Sequence, residues 1–128
     1  MQPNVALSDL LEAVSANAAL PEDQPEATPP QVYTSQAFLE LEKDAIFNHE
    51  WICVGRSDEF AKPGTYRVTT ISRDEVIVLR DFDGVLRAMS NVCRHRMMSL
   101  LEGEGTIAGK ITCPYHSWTY KLDGQLIG

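Results

Sequence analysis

A chain of 128 residues is long enough for one domain with a buried core and too short for two sizeable ones. Its 44% hydrophobic content is that of an ordinary globular protein, and its formal charge of −7 argues against nucleic acid and anionic membrane as partners. The acidity is uneven: residues 1–60 hold eleven Asp/Glu against two Lys/Arg, whereas residues 61–128 hold seven against nine, so the C-terminal half is slightly basic.

The first stretch, MQPNVALSDLLEAVSANAAL, has no basic leader, and Asp9 and Glu12 interrupt its apolar residues, so it does not read as a secretory signal. No run approaches the ~18 apolar residues of a membrane helix, and the expected setting is cytoplasmic, with no membrane partner. Leu7, Leu10, Leu11, Val14 and Ala18 recur at helical spacing, which predicts a short amphipathic helix over 5–19. Pro21, Pro25, Pro29 and Pro30 follow; each fixes φ and removes an amide donor, so this segment is an extended linker closing a first region, 1–30. Residues 31–50 form a lead-in helix, capped by Thr34 or Ser35 and running to about Asn48, with Phe38, Leu41 and Ala45 on one face. His49 ends it, where a partial positive charge suits the helix dipole.

From Trp51 the pattern changes to strands. Trp51–Gly55, Thr65–Thr70, Glu75–Arg80 and Val85–Ser90 are β-rich, and turn chemistry separates them at Lys62-Pro63-Gly64 and Asp83-Gly84. Ile107–Thr112, Ser117–Lys121 and Gln125–Ile127 continue the series, the last two around Asp123-Gly124. Cys53, in the first of these strands, is expected to be a small core hydrophobe. The architecture expected is mainly β and antiparallel, preceded by short helices.

Three cysteines are an odd count, a poor start for disulfides and a better one for metal chemistry. NVCRHRMMSL and ITCPYHSWTY give Cys93-x-His95, seventeen intervening residues, then Cys113-x-x-His116. Each half supplies one thiolate and one imidazole, so two facing loops would offer two sulfurs to one metal and two nitrogens to another. Two ferric ions, two bridging sulfides and two thiolates sum to zero charge with neutral imidazoles. Such a centre gains an electron more easily than a four-thiolate cluster of charge −2, at about −150 to +300 mV against about −400 mV. A structural zinc ion accepts the same ligand set, but zinc spacing usually puts two cysteines in one half and two histidines in the other. The remaining alternative is four unrelated core residues, which the paired spacing disfavours.

The pattern C-x-H-x17-C-x2-H resembles the Rieske [2Fe-2S] domain over about 51–128. CRHR at 93–96 and CPYHSWTY at 113–120 are similar to the cluster loops of non-haem iron oxygenase α subunits, the ring-hydroxylating and N- or O-demethylating enzymes. The resemblance implies a Rieske-type antiparallel β-sandwich or barrel with a cluster-binding subdomain of two loops. It also implies one iron on Cys93 and Cys113 and a solvent-facing iron on His95 and His116. Respiratory Rieske proteins carry an extra cysteine in each loop, joined as a disulfide; the matching positions here are Met98 and Tyr115, which points to the oxygenase or ferredoxin branch. Met97 stands where the α subunits often have glycine, and a side chain there bears on the loop backbone and the potential.

Around the cluster, Pro114 is expected to stiffen the second loop and Trp118 to pack behind both loops and exclude water. Tyr115 and Ser117 are candidates for hydrogen bonds toward sulfur, and Arg94 and Arg96 for steering an acidic electron donor. An oxygenase also needs a mononuclear Fe(II), held by two histidines and a carboxylate. With His95 and His116 used, only His49 remains, so the chain alone is not expected to turn over substrate. The helical extension resembles the N-terminal part of an oxygenase α subunit, and the sheet is expected to be incomplete at its C-terminus. The resemblance further implies a ferredoxin or flavin reductase as donor and, in the full-length protein, a homo-oligomeric ring (a trimer). A stand-alone Rieske ferredoxin is the alternative.

Overall fold

A computed structural model describes residues 5–128. The chain divides into two compact units, one ending at Glu50 and the other Trp51–Gly128. In the first, α1 (Leu7–Ala18) buries Leu10 and contacts α2 (Gln36–Glu42), which buries Phe38. Ser35 is the cap of α2: its hydroxyl accepts from the Phe38 amide at 3.2 Å, satisfying one of the free first-turn donors. The second helix does not stay α to Asn48; it widens into a π turn over Lys43–Phe47. Between the helices a 3₁₀ turn, Pro30–Tyr33, takes up the end of the proline segment. No described helix is long and apolar enough to cross a membrane.

The second unit is built on a four-stranded antiparallel sheet of order β3-β2-β1-β4: β1 Thr65–Ile71, β2 Asp74–Arg80, β3 Leu86–Ser90 and β4 Glu104–Thr106. β1 and β2 pair from Tyr66↔Leu79 to Ile71↔Asp74, joined by the two-residue turn Ser72-Arg73 with Ser72 at φ 57°. The β2–β3 turn is the expected Asp83-Gly84, and a buried carboxylate fastens it: Asp81 accepts from the Asp83 and Val85 amides and pairs with Arg87 at 2.5 Å. Gly64 (φ 85°) sits against the Ile107 carbonyl, where any Cβ would collide, which explains glycine in that turn. A second, two-stranded sheet pairs β5 (Ile111–Thr112) with β6 (Thr119–Tyr120).

Ile77 and Leu79 of β2 are fully buried and form one core with Leu100, Ile107, Ile111, Tyr120 and Leu122. Cys93 and Cys113 belong to that same core. Three strand expectations need correction. Trp51–Gly55 forms no strand, and Cys53 is exposed rather than buried. Of Ile107–Thr112 only the last two residues are strand, while Glu104–Thr106 pairs with β1 instead. Gln125–Ile127 makes only an isolated bridge, Tyr120↔Leu126.

Candidate metal centre

The two candidate loops leave the core from different supports and repeat one backbone pattern. In the first, the Cys93 amide donates to the Met98 carbonyl (2.8 Å) and the Met97 amide to the Cys93 carbonyl (3.0 Å). In the second, the Cys113 amide donates to the Trp118 carbonyl (2.8 Å) and the Ser117 amide to the Cys113 carbonyl (3.1 Å). Both turns close through a residue in the left-handed region four positions after the cysteine, Met97 at φ 57° and Ser117 at φ 61°. Pro114, with φ fixed and no amide to satisfy, stands at the start of the second turn.

This geometry sorts the donors by depth. The cysteines, next to the strand ends, are 1% and 3% exposed; the histidines, on the turns, are exposed. The His95 and His116 rings meet edge-on with centroids 4.8 Å apart, and the Cys113 thiol acts on that of Cys93, so the two loops pair imidazole with imidazole and thiol with thiol, the sulfurs buried and the imidazoles exposed. Each ring has an aromatic neighbour: half-buried Trp118 stacks on His95 at 4.8 Å and 9°, and exposed Tyr115 tilts over His116 at 3.7 Å.

Both thiols are free. The Tyr120 hydroxyl lies 3.2 Å from the Cys93 Sγ and holds the Cys93 pKa below its ordinary value; burial opposes this, and the His95 amide, the Cys113 thiol and the Arg96 amide reinforce it. The Arg94 amide donates to the same Tyr120 oxygen at 3.2 Å, which leaves the hydroxyl hydrogen to point at sulfur. Burial, with the Cys93 sulfur second, raises the Tyr120 pKa, so the phenol stays a donor. A buried sulfur surrounded by donors is prepared to exist as a thiolate, the form that binds metal. Among the described residues no three His, Cys, Asp or Glu side chains gather around the position of a single ion. A sulfur pair and an imidazole pair suit two metals better than one, and this donor set fits a two-iron group.

Tyr115 and Ser117 make no hydrogen bond to sulfur. That role falls to Tyr120, whose signal in the sequence was a strand tyrosine due to be buried, since a buried hydroxyl needs a partner. Cys53 is exposed, and His49 belongs to the first unit. Arg94 and Arg96 are exposed beside His95.

A mixed sulfur and nitrogen donor set on two like loops at the end of an antiparallel sheet defines an iron–sulfur electron-transfer module. Residues 50–128 match the Rieske [2Fe-2S] domain, and the chain belongs to that family, whose cofactor is a [2Fe–2S] cluster. It is 45% identical over 119 residues to the carnitine monooxygenase oxygenase subunit of Acinetobacter baumannii, covering 88% of this chain and 32% of that one. To the glycine betaine monooxygenase oxygenase subunit of Pseudomonas aeruginosa it is 34% identical over 126 residues, covering 96% and 29%. Among solved structures it resembles a quaternary ammonium Rieske monooxygenase with L-carnitine (TM-score 0.71, 44% identity, 77% of this chain and 28% of that). It also resembles naphthalene 1,2-dioxygenase from Rhodococcus (TM-score 0.79, 31% identity, 94% and 26%). The chain thus spans about a third of the length of the curated relatives it matches.

Proposed function

We propose that Cys93 and Cys113 bind the inner iron of a Rieske [2Fe–2S] cluster, that His95 and His116 bind the outer one, and that the chain is the electron-accepting part of an oxygenase α subunit. When bound, the cluster supplies a site that gains and gives one electron at a time. The observation that carries the reading is the depth sorting: two free, buried thiols that interact with each other and two exposed imidazoles whose ring centroids are 4.8 Å apart. The core around Cys93 and Cys113 excludes water from the sulfur side. The exposed histidine edges leave the short path by which an electron enters or leaves. Tyr120 and the amides of His95 and Arg96 hold negative charge on sulfur.

The donor in this reading is a ferredoxin or flavin reductase, and the acceptor is a mononuclear iron carried by sequence outside these residues. One solved relative is described in terms of inter-subunit electron transfer; by analogy, electrons pass here from one subunit to the next within a homo-oligomeric ring. The domain division follows: 1–30 and 31–50 as helical lead-in, 51–128 as the cluster domain. Relatives acting on carnitine and glycine betaine make a small quaternary ammonium compound the substrate class of the whole protein. A cytoplasmic setting agrees with three free thiols.

The test is anaerobic assembly with iron and sulfide. Two irons and two acid-labile sulfides per chain, with a Rieske-type EPR signal on reduction, are expected, and serine at position 93 or 113 should abolish both. A colourless chain that takes up one zinc would overturn the reading.

A further inference from the structure

The two ligand loops are closed at their necks in different ways. The second is gripped by a strand pair, with Thr112↔Thr119 directly under the loop. The first has only the isolated bridge Val92↔Ser99. What replaces the missing ladder is one side chain, Asn91, fully buried and two residues before Cys93. Its Oδ1 accepts from the amides of Leu100 (3.2 Å) and Leu101 (2.9 Å), and its Nδ2 donates to the Leu101 carbonyl (2.8 Å) and to Glu75 Oε2 (2.9 Å). The Asn91 amide donates to the Glu75 carbonyl (2.9 Å), and its carbonyl accepts from the Leu100 amide (3.1 Å). The Ser99 hydroxyl reaches the same Glu75 oxygen at 3.1 Å. Every hydrogen-bonding position of the carboxamide is used, and together they tie both stems of the first loop to each other and to β2.

We propose that Asn91 is a positioning residue for the cluster: it fixes the first loop against the sheet, so that Cys93 and His95 meet Cys113 and His116 without rearrangement. This rests on the ligand assignment above. The carboxamide suits the place because it offers two donors and two acceptors on one rigid plane. Aspartate keeps the acceptors but turns a carboxylate toward Glu75 and the Leu101 carbonyl, and alanine leaves the Leu101 amide and the Glu75 carboxylate without this partner. Glutamine at position 75 restores a donor toward an aspartate at 91, so part of the effect should be reversible by exchanging donor and acceptor.

The cluster-loaded chain is compared with Asn91→Ala, Asn91→Asp, Asn91→Asp/Glu75→Gln, and Ile77→Val, a control that loosens the same core without removing any hydrogen bond of Asn91. Thermal midpoint, rate of cluster loss to a chelator, EPR g-values and midpoint potential are read for each. Asn91→Ala and Asn91→Asp should lose iron at least about fivefold faster, the factor that goes with one buried hydrogen bond. Both should shift g-values and potential beyond the Ile77→Val control, and the double variant should recover part of the loss. If Asn91→Ala does not fold, Asn91→Asp and its partner decide. Spectra and cluster lifetimes no different from the control, or a double variant no better than Asn91→Asp, would overturn the proposal while leaving the ligand assignment standing. A wild-type chain that loads no cluster would overturn both.

Discussion

Replacing Tyr120 by phenylalanine removes one oxygen and leaves a buried ring in place. Two contacts go with it: the hydroxyl at 3.2 Å from Cys93 Sγ and the acceptor of the Arg94 amide. The hydroxyl is the largest influence lowering the Cys93 pKa, so its net effect is to favour negative charge on that sulfur. On the proposed ligand assignment, reducing the cluster would make the whole group more negative by one charge, its thiolate sulfurs included, and the hydrogen bond would be stronger in the reduced state than in the oxidised one. Its loss must lower the midpoint potential. A buried hydrogen bond contributes about 1 kcal/mol net, and a tenfold change in a one-electron equilibrium is about 59 mV. If most of that energy distinguishes the two states, Tyr120→Phe should lower the potential by about 40 mV. An optical redox titration followed by circular dichroism reads this directly. A potential unchanged within about 10 mV, or one that rises, would refute the argument that the tyrosine donates to the sulfur.

Three further outcomes are expected. Met97 holds φ 57° with a side chain 78% exposed, so Met97→Gly relieves a left-handed strain of about 1–2 kcal/mol against the roughly 0.5–1 kcal/mol of extra entropy that glycine loses. The thermal midpoint should rise, and a fall would count against the strain. Burial pushes the Asp81 pKa up, but the Val85 amide, the Arg87 guanidinium and the Asp83 amide together hold it below the usual carboxylate range. The unfolded chain therefore takes up this proton first as pH falls: the stabilisation is whole above the unfolded value of about 3.9 and disappears as pH drops through the lower folded value. Asp81→Asn should be less stable at neutral pH and lose less on acidification, read as denaturant midpoints across that window; parallel pH profiles would refute it. Charge reversal at both Arg94 and Arg96 should slow reduction by an acidic donor and flatten its dependence on ionic strength, and an unchanged salt dependence would end the steering idea.

The parts of the fold legible in the sequence are those where residue type and backbone demand coincide. β1 and β2 are rich in β-branched residues, and Asp83-Gly84 and Asp123-Gly124 stand where Gly84 and Gly124 take φ 81° and 88°. The candidate ligands were legible because their chemistry is carried by residue type and spacing alone. β4 was not, since Glu104–Thr106 is exposed throughout and an edge strand with no buried face leaves no alternation to read. The π turn at Lys43–Phe47 likewise differs from an α turn only in hydrogen bonding, which residue types do not report. Cys53 misled because a valine- and isoleucine-flanked cysteine has the composition of a core strand, yet pairing partners decide whether one forms. Asn91 and Tyr120 were missed for a common reason: each acts through partners far away in sequence, Glu75 for one and Cys93 for the other.

The two loops differ in one respect that matters for chemistry. Their backbones turn in the same way, yet His95 follows its cysteine by two residues and His116 by three. With cysteine fixed at the buried root of each turn, a histidine at either offset stands on the exposed part, so sulfur inside and imidazole outside follow from the turn itself. At these unequal offsets the two rings meet edge to face, each with a different aromatic neighbour. On the proposed ligand assignment the outer iron is then the one next to solvent. An added electron would be favoured there, because imidazole ligands would leave that iron with less negative charge around it than thiolates would leave the inner one. Depth and charge thus select the same face, the one bearing His95 and His116, as the place where electrons cross the protein surface.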